Sequence, residues 1–164
     1  MNAGESQPFF IDSNIWLYRF IVNCSDTNAI PKQQIATNIT NQGNLIISTQ
    51  VVNEVCSNLI RKAGFNNLQI QNLLEEFTQG CEILPVSLET LEYAVKLRDR
   101  YLISFWDSLI VASAVLGDAT ILYSEDMQDG LITNNSLQVI NLSKLYLSIV
   151  SPFFKFLLFL LRKL

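Results

Sequence analysis

An α/β domain with a parallel sheet is the fold class this sequence predicts, and three observations predict it. Short apolar, β-branched runs alternate with longer segments of helical periodicity, the pattern of successive parallel β–α units with right-handed crossovers. The length of 164 residues suits one domain. A composition 49% hydrophobic and 16% charged, with mean hydropathy +0.27, supplies a sizeable core and argues against global disorder.

Met1–Gln7 is polar and expected to fray. Phe9–Ile11 forms the first strand, and Asp12-Ser13-Asn14 follows it directly. Ile15, Trp16, Leu17, Phe20 and Ile21 then continue as a helix. Any of the three polar residues could cap that helix. Ala29–Thr40 holds a second helix, with Ile30, Ile35, Ala36 and Ile39 facing inward. Leu45–Ser48 is the second strand. Thr49 opens a long helix through Ala63 whose buried face is Val51, Val52, Val55, Leu59 and Ile60, with Glu54 near its edge. Asn67–Gln79 is amphipathic. Cys81–Val86 is a third strand, and Pro85 places it at an edge or a strand end. Ser87 with Thr90 starts a helix through Leu102 carrying Leu88, Leu91, Ala94, Val95 and Leu97 inward.

The stretch Phe105–Gly130 reads as helix, tight turn, strand and acidic turn. Ile110, Val111, Ala114 and Val115 give the helix one apolar face, and Asp107 stands at its start, where a carboxylate suits the positive end of the dipole. Gly117 stops it. Thr120–Tyr123 is the next strand, followed by Ser124-Glu125-Asp126, and Leu137–Asn141 is the last. The apolar run Phe153–Leu161 is shorter than the roughly 20 residues that span a bilayer. A core helix, an interfacial anchor and an oligomer or partner contact compete for it. Lys155 within the run and the basic end favour packing or contact, so the chain divides into a domain at 1–147 and a helical tail at 148–164.

Several chemistries are excluded. The chain has no His, which removes the Ser–His–Asp triad, His-ligated zinc and His acid–base catalysis. Cys24, Cys56 and Cys81 are odd in number and widely spaced. They fit reduced thiols in a cytoplasmic protein better than a disulfide framework. The N-terminus lacks the layout of a signal peptide. A net charge of −4 carries no global basic footprint for nucleic acid.

Asp12, Glu54, Asp107 and Asp126 stand out as a set. Asp12 and Asp126 follow the carboxyl ends of strands, and Glu54 and Asp107 fall in the first turns of helices beside such ends. With the first strand central, all four converge on one rim, the edge where open α/β sheets bind ligands. Each alone has a plain reading as a cap or a surface acid. Together, crowded carboxylates repel one another, and a hard divalent cation removes that penalty.

The segments FIDSNIWLY, STQVVNEV and FWDSLIVASAVLGDATILYSEDMQDG resemble the PIN domain, the nuclease fold of VapC-like toxins, over roughly Phe9 to Asn141. The resemblance implies a three-layer α/β/α domain with a central parallel sheet of four to five strands. It implies a Mg²⁺- or Mn²⁺-dependent ribonuclease that cleaves RNA with a metal-activated water. Asp12, Glu54, Asp107 and Asp126 fall on the family's acids, and Ser13, Asn14 and Ser124 on its supporting polar positions. Glu125 and Asp129 are spare carboxylates in the same turn. A cognate antitoxin and a homodimer are the implied partners, with no obligate membrane span. A basic lip from Arg19, Arg61, Lys62 or Lys96 would border the site; Lys96, Arg98 and Arg100 otherwise read as a solvated helix surface. The alternatives are a non-catalytic binding module on the same fold, and a phosphatase-like hydrolase, which the missing DxDxT segment disfavours.

Overall fold

The sheet grows in both directions from Phe9–Ile11, the strand β1. After it come α1 (Ser13–Phe20), α2 (Ala29–Thr40), β2 (Leu45–Ser48), α3 (Thr49–Ala63), α4 (Asn67–Gly80) and β3 (Cys81–Leu84). The second half holds α5 (Leu88–Tyr101), α6 (Phe105–Leu116), β4 (Ile121–Ser124) and β5 (Gln138–Asn141). The computed structural model describes residues 7–21, 29–131, 133 and 137–145, so Cys24 and the predicted 148–164 tail lie outside the described residues.

The strand order is β3-β2-β1-β4-β5 and every pair is parallel. Phe10 sits in register with Ile46 on one side and Leu122 on the other. The chain steps from β1 out to β3, then crosses back to β4. With right-handed crossovers this places α1–α4 on one face and α5–α6 on the other. The packing agrees: α1 lies against α2 and α3, and α5 against α6. The expected three-layer α/β/α domain is present, with five strands. Pro85 follows β3, which is an edge strand as its proline requires.

Both sheet faces are covered, so the strands are apolar runs rather than alternating ones. Phe10, Ile11, Ile46, Ile47 and Leu122 are buried. Trp16 meets Phe77 edge to face at 4.8 Å and ties α1 to α4. Gly117 ends α6 at a close approach, where a Cβ would stand 2.6 Å from Leu84 Cδ1.

Helix facing departs from the sequence reading on four helices. Between its ends the helix α6 has no solvent face: Ser108 to Val115 are all buried, because α5 covers the side turned away from the sheet. On α5 the buried residues are Thr90, Ala94 and Leu97, while Leu88, Leu91 and Val95 are exposed. The helix offers two apolar stripes, and the small Ala94 lets the narrower one approach α6. The Ser87–Thr90 capping box fixes the rotation by turning Thr90 inward. Ile60 on α3 and Ile30 on α2 are likewise exposed, not inward. The fourth strand runs one residue later than predicted, ending at Ser124. Among the described residues no helix is long and apolar enough to cross a membrane.

Candidate active site

The strand order reverses between β1 and β4, and in parallel α/β sheets the crevice beyond such a point is where ligands bind. Asp12 follows β1 there and Ser124 ends β4. The backbone ladder continues one step past β1, with Asp12 N–H donating to Tyr123 O at 3.0 Å. Asp12 is also the N-cap of α1. It differs from an ordinary cap, whose side chain accepts from the second or third helical N–H. Here Oδ1 accepts from Ser13 N at 2.6 Å, the first position, which leaves Oδ2 to Ser124 Oγ at 2.7 Å and Asn14 Nδ2 at 3.2 Å. Asp12 therefore caps the helix with one oxygen and meets Ser124 and Asn14 with the other.

Ser13 and Asn14 join the other acids to Asp12. Ser13 Oγ donates to Glu54 Oε2 at 2.7 Å. Asn14 Nδ2 reaches Asp126 Oδ2 at 3.2 Å, and Asn14 Oδ1 accepts from Glu125 N at 3.2 Å. Carboxylates on one end and a backbone N–H on the other fix the orientation of this amide. Gln50, one turn before Glu54 on α3, donates from Nε2 to Glu54 Oε1 at 3.0 Å. Both Glu54 oxygens are thus held. Gln50 was missed in the sequence, although its i, i+4 spacing to Glu54 was the available signal.

The acidic turn now resolves. Asp126 faces Asn14 and the Asp12 network. Glu125 does not belong to it: Lys32 Nζ pairs with Glu125 at 2.8 Å, Ser143 Oγ donates to it at 2.7 Å, and the Tyr18 hydroxyl donates a short bond. Asp129 Oδ1 accepts from Asn141 N at 2.9 Å and fastens the turn to β5. Arg19, a candidate for the basic lip, is committed elsewhere. It pairs with Glu76, donates to Thr40 Oγ1 at 3.1 Å and lies 5.6 Å over the Trp16 ring.

Asp107 stands apart from the hydrogen-bonded set. The helix α6 precedes β4 and turns sharply into it, so its first turn lies at the same carboxyl rim. Ser104 caps it: its Oγ accepts from the Asp107 backbone N–H at 3.0 Å. The boxes at Asn66/Gln69 and Ser87/Thr90 are closed by the third residue reaching back. Asp107 does not reach back, and among the described residues its half-buried carboxylate makes no hydrogen bond or ion pair. Three of the four predicted acids are therefore joined by bridging donors, and the fourth is on the rim and uncommitted.

The electrostatics of Asp12 are unusual. It is 6% exposed, and no Lys or Arg enters its network among the described residues. Burial raises its carboxyl to about 6; the bonds from Ser124 and Ser13 pull it down, and the charges of Glu54 and Asp126 push it up again. The donor set consists of oxygens only, which suits a hard cation. Among the described residues no three acidic or thiol side chains close on one another as a cage. Ser13 and Asn14, both neutral, instead bridge carboxylates that would otherwise repel, and Ser124 donates to Asp12. Donor chemistry and uncompensated charge both fit a divalent ion at this rim.

Beside Glu54 a cleft of about 760 Å³ opens between α3, α5 and α6, with Gln50, Asn53 and Ser57 on one wall and Phe105, Trp106 and Leu109 on the other.

The PIN domain family model matches residues 9–129. A search of curated protein sequences found no significant match. Among solved structures the fold is shared by a toxin–antitoxin complex from Klebsiella pneumoniae, at 18% identity and TM-score 0.59, covering 81% of this chain and 96% of that one. It is also similar to VapC20 of Mycobacterium tuberculosis, a Sarcin-Ricin loop cleaving toxin, at 17% identity and TM-score 0.56, covering 72% and 89%. VapBC2 from Rickettsia felis, bound to a DNA fragment from their promoter, matches at 21% identity and TM-score 0.53, covering 81% and 97%. With the family model matched from β1 through the acidic turn, this chain belongs to the PIN domain family.

Proposed function

We propose that this protein is a Mg²⁺- or Mn²⁺-dependent endoribonuclease acting in the cytoplasm, the toxin of a type II toxin–antitoxin pair. One observation supports this above the others: buried Asp12 is joined to Glu54 and Asp126 through Ser13 and Asn14, with no cation in the network. Asp12, Glu54, Asp107 and Asp126 would hold the metal. When bound, the ion supplies Lewis-acid stabilisation of charge on the phosphate and makes water a better nucleophile.

The chain's own residues preorganise that site. Ser124 and the Ser13 N–H fix the Asp12 rotamer, Ser13 and Gln50 fix Glu54, and Asn14 spans Asp12 and Asp126 while tethering the turn. Such supporting bonds set ligand orientation as firmly as the ligands themselves. An antitoxin partner is favoured by the toxin–antitoxin complexes that share the fold. The exposed stripe Leu88, Leu91, Val95 and Leu102 on and after α5 offers apolar area for that partner or for a second copy.

The test is incubation with labelled RNA in Mg²⁺, Mn²⁺ or EDTA, with Asp12→Asn and Asp107→Asn beside the parent chain. Cleavage is expected only with divalent ion and only in the parent. Cleavage that persists in EDTA, or undiminished in both variants, overturns the proposal.

A further inference from the structure

The cleft beside Glu54 has two unlike walls. On one side Phe105 and Trp106 meet edge to face at 6.1 Å, and Trp106 is 64% exposed, unusual for the largest aromatic side chain. On the other side α3 presents Asn53 and Ser57, exposed side chains that make no hydrogen bond among the described residues. Gln50 lies deeper and is 8% exposed. Its Nε2 is held by Glu54, so the flip is fixed, and its buried Oε1 has no partner. A buried amide oxygen in this state is costly, and a donor brought into the cleft would satisfy it. An apolar peptide would cover the rings but leave the amide wall unpaired. A flat ligand with π-faces and a hydrogen-bonding edge uses both walls.

We propose that the cleft between α3, α5 and α6 binds one unpaired nucleobase of the RNA, stacked on Trp106 and hydrogen-bonded at its edge by Asn53, with Gln50 as acceptor. This rests on the nuclease reading for its ligand class and adds to it the feature recognised: a base out of the duplex, next to the acids. A paired base shows no free face to Trp106, so single strands and loops are selected over helices. Gln50 couples the two sites, because the amide that meets the base also holds Glu54.

The experiment is binding in EDTA, where cleavage is absent. A labelled ten-residue oligoadenylate is titrated by anisotropy, alone and annealed to oligouridylate. In parallel, tryptophan emission is followed with unlabelled strand; of the two tryptophans, Trp16 is 2% exposed, so quenching reports Trp106. The expected result is quenching by the single strand and weaker binding of the duplex. Trp106→Ala should lower single-strand affinity about tenfold, the scale of one stacked base. Trp106→Phe should keep most of it, and Asn53→Ala should lose a smaller factor. Both substituted positions are on the surface, and a thermal melt checks the fold. Single-strand affinity unchanged in Trp106→Ala and Asn53→Ala overturns the proposal, as does equal binding of duplex. Binding of a protein partner lost in those variants while RNA binding stays intact also overturns it. Asp12→Asn separates the two readings: it should abolish cleavage and leave Trp106-dependent binding in place. A parent chain that binds through Trp106 but never cleaves with any divalent ion defeats the nuclease reading alone.

Discussion

Two carboxylates near the tip of β4 meet opposite fates. Asp12 and Glu125 are both drawn from water, and burial raises both. Glu125 nevertheless ends below the ordinary carboxylate range, because Lys32, Tyr18 and Ser143 donate to it. Asp12 ends at about 6, since its donors are neutral and its charged neighbours are Glu54 and Asp126. Burial alone does not set these two acids apart; the presence or absence of a fixed cation does. Glu125 is neutralised by the protein, and Asp12 is left for something outside it.

The strongest way to break this contrast is Asp12→Asn. It should lower metal-dependent RNA cleavage about a thousandfold or more. In EDTA it should leave the melting temperature equal or higher, because an uncompensated buried charge is gone; a large drop in Tm would place Asp12 with the structural acids. Lys32→Met attacks the other side. With the pair's side chains only 14% and 15% exposed, loss of the lysine should cost about 2–4 kcal/mol in urea unfolding, while cleavage persists.

The pH dependence has opposite signs at the two sites. The folded Asp12 binds its proton more tightly than the unfolded chain does. Its contribution to stability in EDTA therefore falls as pH rises from about 4 to 6, by up to about 3 kcal/mol. Asp12→Asn should remove that slope. The folded Glu125 has a depressed pKa, so its contribution is present above the unfolded value and is lost as pH falls through the folded one. Denaturant melts across pH, with and without each substitution, resolve the two. The smallest effect is Ser124→Ala. It deletes the 2.7 Å bond to Asp12 Oδ2 and should weaken Mn²⁺ binding about tenfold by calorimetry, with the fold retained.

Much of this arrangement was legible along the chain. Strand runs, caps and alternation determine the sheet, and a central first strand brings Asp12, Glu54 and Asp126 to one rim. Two things were not legible. The choice of Asp126 over Glu125 depends on Asn14 reaching one side of the turn and Lys32 reaching the other, and no local pattern couples Lys32 to Glu125. The facing of α5 was misread because periodicity yields stripes, not the neighbour each stripe meets. Thr90, Ala94 and Leu97 are the residues turned inward, and Leu88 and Val95 were left outside.

The turn bearing Asp126 is fastened from β5. Asn141 donates from its side chain to Glu125 O and, at 3.0 Å, to Met127 O, while its N–H is held by Asp129. On the ribosome, Asp12 and Glu54 emerge well before this clamp exists, and a domain generally folds as a unit. The growing polypeptide consequently lacks a complete acidic rim until its fifth strand is made, and a product stopped short of Asn141 would keep its first two acids without the clasp that sets the last.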